Sequence, residues 1–257
     1  VVQAMPAGWL YARNPGAGMS FSVLDLYCCE GGAAEGYRQA GATLIVGVDH
    51  KRRTRYPFGP VVADVLKLDV RFLRQFDLIH ASPPCQFGTA LNSDKSRHLN
   101  LIPATRRLLE AAGVPYVIEN VEAVARAGHL INPVALTGTM FGNSMTTSAG
   151  RRYVLERARY FETSFPLELP LDPGAGGLPI ANVYGCHLRC RDKAHRTGKG
   201  TGRTVDFPGE DRPALARQLM GMPWASMAGM SEAVPPSFCK YIGEQFLAHW
   251  RRERLAA

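Results

Sequence analysis

Short apolar runs of strand length alternate with segments of helical period along the first 160 residues. Phe21–Leu26 is a β run broken by Gly31-Gly32, and Ala33–Ala40 then reads as a helix stopped by Gly41. Thr43–Val48 predicts a second strand ending at Asp49, and Val61-Val62-Ala63 a third, followed by Asp64. Phe76–Ala81 is the fourth, and Pro115–Ile118 the fifth, ending at Glu119. Between the last two, His98–Ala111 places Leu101, Ile102, Thr105, Leu108 and Leu109 at helical spacing, and Gly113 stops it. Strands alternating with helices predict an α/β fold, a doubly wound, mostly parallel sheet covered on both faces.

Beyond about residue 150 the pattern changes. Arg151–Phe161 reads as one further strand, while 162–213 is rich in Pro, Gly, Arg and Lys with little periodicity. From Ala214 the chain is helical again, with a Pro235-Pro236 break before Ser237–Trp250. The expected organisation is therefore a main domain over 19–161, a small irregular segment over 162–213, and a helical segment over 214–257 that returns to the main domain. Residues 1–18 are Pro/Gly-rich and aperiodic. They read as a flexible extension or a misassigned start, or, through Trp9 and Tyr11, as a segment docked on the body.

The polar residues that interrupt this pattern fall at strand C-termini: Asp25, Asp49, Cys85 and Glu119. In open α/β sheets that edge binds ligands. Pro83-Pro84-Cys85-Gln86 follows the fourth strand directly, and two fixed φ angles set the thiol at a defined point on a strand tip. A buried apolar cysteine is the alternative use of Cys85. A Gly pair between first strand and first helix allows close backbone approach to a ligand. Acids at the ends of strands two and three, Asp49 and Asp64, suit ribose hydroxyls and an adenine amine, as in an adenosine-containing cofactor. Helix caps and turns are the ordinary use of such Asp residues.

Thirty Lys and Arg against 22 Asp and Glu favour a polyanionic partner. The six cysteines are scattered through a chain too long to need staples, which suits a reducing compartment. No run of ~18 apolar residues is present, so no membrane span is expected.

Val23-Leu24-Asp25-Leu26-Tyr27-Cys28-Cys29-Glu30-Gly31-Gly32, Pro84-Cys85-Gln86 and Glu119-Asn120-Val121 resemble, in order and spacing, motifs of the cytosine-C5 DNA methyltransferases. Leu155-Glu156-Arg157-Ala158-Arg159 is a partial counterpart of that family's Gln-x-Arg-x-Arg motif. Leu136–Gly142 is similar to a strand between these motifs. Glu232-Ala233-Val234-Pro235-Pro236 resembles its closing motif, whose chain returns beside the cofactor site. Two departures stand out: Cys29 replaces the usual Gly, and Leu155 the usual Gln.

The resemblance implies a Rossmann-like class I methyltransferase using S-adenosyl-L-methionine, with 162–213 as a target-recognition segment. It implies that Cys85 adds to C6 of cytosine, that Glu119 bonds N3 and the exocyclic amine, and that Arg157 and Arg159 hold O2 and the adjoining backbone. The implied cofactor residues are Asp25, Leu26, Tyr27, Cys28, Gly31, Gly32, Asp49, His50, Asp64, Val65 and Pro83. A duplex substrate would have to be flipped open. The loop Phe87–Arg97 is then a lid, and Gln86, Lys95, Arg97, Arg189, Arg191 and Arg196 are candidate nucleic-acid contacts. Cys186, Cys190 and His195 lack a clear fourth ligand, so no metal is expected. The expected partner is double-stranded DNA, the expected state a monomer, and the expected setting the cytoplasm of a bacterial or virus-infected cell. The same chemistry on RNA, transfer of a different group from a modified cofactor, and a binding-only homologue stay open.

Overall fold

The computed structural model describes residues 20–88, 99–191, 196–197 and 205–256; the expected N-terminal extension over 1–18 lies outside these. In chain order the first half comprises β1 (Phe21–Leu26), α1 (Gly32–Gln39), β2 (Ala42–Asp49), β3 (Pro60–Val62), α2 (Val70–Leu73), β4 (Leu78–Ala81), α3 (Ile102–Ala112), β5 (Tyr116–Asn120), α4 (Glu122–Arg126) and β6 (Val134–Leu136). The second half comprises β7 (Ser144–Thr146), β8 (Arg152–Leu155), β9 (Arg159–Thr163), β10 (Ile180–Tyr184), β11 (His187–Cys190), β12 (Arg196–Thr197), β13 (Val205–Asp206), α5 (Arg212–Met220), α6 (Met227–Glu232) and α7 (Pro236–Ala256).

Seven strands form the main sheet in the order β3-β2-β1-β4-β5-β9-β6. The pairs from β3 through β5 are parallel, and β9 enters antiparallel between β5 and β6. Strand period two sorts the side chains onto two faces. Phe21 and Val23 join Tyr37 of α1 and Phe238, Ile242 and Phe246 of α7. Leu24 and Leu26 join Leu73 of α2, Ile102 and Leu109 of α3 and Val124 of α4. The expected doubly wound, mostly parallel sheet is thus present.

Three expectations about elements change. Arg151–Phe161 is two strands in two sheets: β8 belongs to a second sheet ordered β11-β10-β8-β7, and β9 to the main one. The break falls at Arg157, whose φ of +21° lies outside strand geometry. Leu136–Gly142 is only briefly a strand, for a 3-10 helix spans Gly138–Phe141 and Gly142 closes it at φ +67°. Finally, 162–213 is not wholly irregular. β10 and β11 form an antiparallel hairpin through Gly185-Cys186, both at positive φ (57° and 61°), as a two-residue turn with the right twist requires.

The second sheet packs on α5 and α6, with Tyr153, Leu155, Val183 and Leu188 against Leu219 and Met230. Of the expected returning segment 214–257, α5 and α6 therefore cover the second sheet, while α7 covers the first. Among the described residues, no helix is long and apolar enough to cross a membrane.

Candidate active site

A cleft of about 400 Å³ opens at the C-terminal edge of the main sheet. It is walled by the turns after β1, β2 and β4, by the end of β5, by the start of β9 and by 231–234, where α6 ends and the link to α7 begins. Its volume is that of a small-molecule site.

One end holds the nucleophile candidate. Cys85 follows Pro83-Pro84 and is partly buried. The turn is tied to the neighbouring strand: Asn120 Nδ2 donates to the Pro83 carbonyl at 2.9 Å, and Asn120 Oδ1 accepts from Val121 N at 3.0 Å. Glu119, on β5, is 5% exposed. Burial pushes its carboxyl above the usual range, against the lowering effect of Arg159, a Ser82 hydrogen bond and Arg157. Burial and the Glu119 charge likewise push the Cys85 thiol up, while Arg159 pulls it down. The two groups are therefore coupled: a proton on Glu119 removes the charge that opposes the thiolate.

Arg159 opens β9, the strand that lies against β5. Its Nε lies 3.0 Å from Glu119 Oε1, yet that N–H has no aligned hydrogen-bond acceptor. A buried guanidinium donor left without a partner is costly in a finished structure, and here it borders an open cleft. Arg159 lines that cleft and Arg157 does not. The expectation that both hold the substrate is corrected for Arg157. Its guanidinium is wholly buried and donates to the carbonyls of Ala233 (3.1 and 2.8 Å), Ser231 (2.7 Å) and Val183. Its backbone N–H donates to Asn182 Oδ1 at 2.8 Å. Arg157 thus ties β10 and the α6–α7 link to the turn that aims Arg159.

The other end suits an adenosine-type cofactor carrying a cation. Asp49, at the tip of β2, accepts from Cys29 N at 3.2 Å, Lys51 N at 3.0 Å and Arg53 Nε at 2.9 Å. Oδ2 takes two of these donors and Oδ1 one, so a hydroxyl can still approach Oδ1. His50 Nδ1 is 3.1 Å from Asp49 Oδ1. Asp25 is buried, accepts from Tyr56 Oη at 3.3 Å, and is pushed well above the usual carboxyl range by that burial. Tyr27 is held by a 2.9 Å hydrogen bond between its hydroxyl and Thr105. Asp25, Tyr27, Cys28, Gly32, Asp49, His50, Pro83 and Gln86 line the cleft.

Four other expected cofactor residues do not. Leu26 and Val65 are buried in the core on the α3 face. Gly31, at φ +81°, is the N-cap of α1. Asp64 caps a 3-10 helix by accepting from Leu66 N at 3.1 Å. Among the nucleic-acid candidates, Arg189 and Arg191 lie on β11, at the edge of the second sheet. Arg189 Nη1 is 3.8 Å from Asp206 Oδ2, and Arg191 Nη2 is 2.8 Å from Glu156 Oε2. Lys95, Arg97 and His195 lie outside the described residues, as does the side chain of Arg196. Cys186 is exposed and Cys190 buried. Among the described residues no three His, Cys, Asp or Glu side chains gather as metal ligands.

Several cleft features were not singled out as site residues by the sequence reading. Arg53 lies against Asp49, and its Nη1 is 3.8 Å from Glu232 Oε2. Cys29 holds φ +47°, a conformation that favours Gly, and its thiol donates to Glu232 Oε2 at 3.3 Å. Burial and that carboxylate push the Cys29 thiol up to about 12, so it is neutral. The signal for Arg53 was the basic run Lys51-Arg52-Arg53 directly after a strand-end acid.

No protein-family model matches this chain, and no curated protein sequence does. Solved structures do. A protein described as a DNA modification methyltransferase, encoded within an E. coli prophage, matches with a TM-score of 0.59 at 15% identity, over 91% of this chain and 100% of that one. The Entamoeba histolytica methyltransferase EhMeth matches with a TM-score of 0.54 at 9% identity, over 90% and 99%. The S. pombe Dnmt2 methyltransferase matches with a TM-score of 0.50 at 13% identity, over 89% and 98%. Together with the strand order, these matches show that the chain has the Rossmann-like α/β fold of these methyltransferases.

Proposed function

We propose that this protein is an S-adenosylmethionine-dependent methyltransferase acting on carbon 5 of cytosine in DNA. The observation that carries the reading is the meeting of Cys85, Glu119 and Arg159 in one cleft, with the buried Arg159 Nε lacking an acceptor. The likeness to a prophage-encoded protein described as a DNA modification methyltransferase supports it.

Asp49 would hold ribose hydroxyls and Tyr27 would flank the nucleoside, while the acids of the cleft, Asp49 and Glu232 among them, favour a sulfonium. When bound, S-adenosylmethionine supplies an electrophilic methyl group. The chain's own residues do the rest. The Cys85 thiolate adds to C6, forming an S–C bond and moving an electron pair towards C5. Glu119, whose burial favours the protonated form, gives its proton to N3 and accepts from the exocyclic amine. Arg159 holds O2, its Nε–H having no aligned acceptor in the free protein although Glu119 lies beside it. After C5 has gained its methyl group, the C5 proton passes to water, the double bond re-forms with expulsion of the Cys85 thiolate, and the N3 proton returns to Glu119. Placing a stacked base in this cleft requires flipping it out of the duplex.

The test is incubation with S-adenosylmethionine and mixed-sequence duplex DNA, followed by mass analysis of the digested nucleosides. The expected product is 5-methylcytosine, absent with Cys85→Ala. Unmodified cytosine from folded, cofactor-binding protein would overturn the reading. A parallel arm with RNA distinguishes a different nucleic-acid substrate from no methyl transfer at all.

A further inference from the structure

Glu119 does not stand alone on its face of the sheet. Strand alternation puts it on the α1/α7 side, together with His80 of β4 and Asp25 of β1, whose backbones are paired in register. This layer is otherwise apolar, so each polar group in it needs a partner. His80 is fully buried and has two: Nδ1 is 2.9 Å from the Tyr37 hydroxyl of α1, and Nε2 is 3.0 Å from the Ser82 hydroxyl. Ser82 follows Ala81, which pairs with Ile118, so it stands beside Glu119 at the strand ends, and both line the cleft. The result is a path from buried Tyr37 through His80 to Ser82, which ends beside Glu119 at the cleft.

Counting protons gives the path a direction. While Glu119 is ionised it only accepts, so the Ser82 O–H beside it points at the carboxylate. Ser82 Oγ can then accept from His80, which places the imidazole proton on Nε2. His80 Nδ1 is left as an acceptor and takes the Tyr37 O–H. Every donor is used once, in one direction. Burial pushes the His80 pKa down to about 3, so the ring stays neutral and can play this single-donor, single-acceptor part.

We propose that His80 and Ser82 are positioning residues for Glu119: the Tyr37-locked Nε2–H tautomer of His80 fixes the Ser82 hydroxyl as a donor to the Glu119 carboxylate. The other groups facing Glu119 are Arg159 of β9, Arg157 of the preceding turn, Cys85 beyond the Pro-Pro turn and Cys239 of α7. The two arginines oppose the protonated carboxyl that the chemistry needs, and burial favours it. Ser82 adds a donor of fixed direction, which favours the ionised form and points the acid along the cleft. The inference deepens the proposed methyl-transfer reading and rests on it for its catalytic meaning, but the hydrogen-bond path belongs to the free protein.

The test uses the full chain without substrate. With ¹⁵N-labelled histidine, the His80 resonances, assigned by their loss in His80→Phe, are expected to show the Nε2–H tautomer, unchanged from neutral pH down to pH 5. With ¹³C-labelled glutamate, the Glu119 carboxyl, assigned through Glu119→Gln, is expected to titrate at higher pH in Ser82→Ala than in the wild type. Ser82→Thr, which keeps the hydroxyl, is expected to restore the wild-type titration. A purely packing role for Ser82 would leave that titration unmoved. In the methylation assay, the limb of the pH–rate profile that reports this carboxyl moves to higher pH in Ser82→Ala. An Nδ1–H tautomer, or a Glu119 titration equal in Ser82→Ala and wild type, overturns the proposal even if His80→Phe fails to fold. Correct resonances with no methylated product would instead overturn the functional reading and leave the path intact.

Discussion

Arg157 shows how one buried charge organises the cleft without entering it. Its side chain serves three carbonyls from two separate segments, Val183 of β10 and, at the end of α6 and just beyond it, Ser231 and Ala233. Burial pushes its pKa well below the usual guanidinium range, which is tolerable only because its donors face acceptors. Arg157→Ala is expected to destabilise the protein by roughly 3 kcal/mol, since several buried carbonyls lose their donor at once. Urea unfolding measures this. A substrate-binding Arg157 would instead lose activity at unchanged stability, and that result would refute the structural role. In the sequence Arg157 and Arg159 look equivalent, two positions apart on one apparent strand. Nothing local marks the turn between them, because the residue holding the unusual φ is the arginine itself rather than Gly or Asn. Cys85, Glu119 and Asp49 were legible for the opposite reason: each ends an apolar strand run, and the parallel sheet carries all such ends to one edge.

At the scale of elements, the cleft depends on how closely α1 meets the chain that returns into α7. A Cβ on Gly32 would stand 2.1 Å from the Val234 carbonyl oxygen, and one on Gly36 would stand 2.2 Å from that of Pro236. These glycines lie four apart on one face of α1, so both press against the same returning segment. The obstruction is backbone, which cannot swing aside as a side-chain tip can. Gly32→Ala is expected to destabilise by about 1–3 kcal/mol, the usual range for overpacking. It should also weaken S-adenosylmethionine binding, because Ala233 and Val234 line the cleft. Calorimetric titration beside a denaturation curve checks both, and wild-type affinity with wild-type stability would refute the close-packing account. A Gly pair after a first strand was visible in the sequence, but the surface it packs on was not, since that surface is some 200 residues away. The β10–β11 hairpin was missed for a local reason. Its turn is Gly185-Cys186 rather than Asn-Gly, and the basic, Pro-rich flanks mask a short alternation at Ile180–Tyr184.

Over the whole molecule, the main sheet supplies the reactive residues, while the second sheet with α5 and α6 forms a separate packed layer joined to it at the cleft. Glu30, in the Gly-rich turn, makes part of that joint: its carboxylate accepts from Ser226 N and Oγ at 2.7 Å each, and its carbonyl from Trp224 Nε1 at 2.7 Å. The short turn at Arg157 also carries the chain directly from β8 of the second sheet into β9 of the first, the strand that holds Arg159. A nucleic acid that engaged the edge of the second sheet would meet Arg189 and Arg191 on β11 at partial neutrality, because acids already lie beside them. Binding must then draw on the formal charge of +8 spread over the chain rather than on those two residues alone. Each phosphate neutralised contributes a slope of about −0.9 in log affinity against log salt. Engagement of even three phosphates makes duplex DNA bind roughly 40-fold more weakly at 200 mM than at 50 mM salt. Fluorescence anisotropy across that range measures the slope. Affinity independent of salt would mean that the basic surface does not face the substrate. A steep slope that persists in Arg191→Ala, reduced by less than about one unit, would fit a contact distributed along the whole edge.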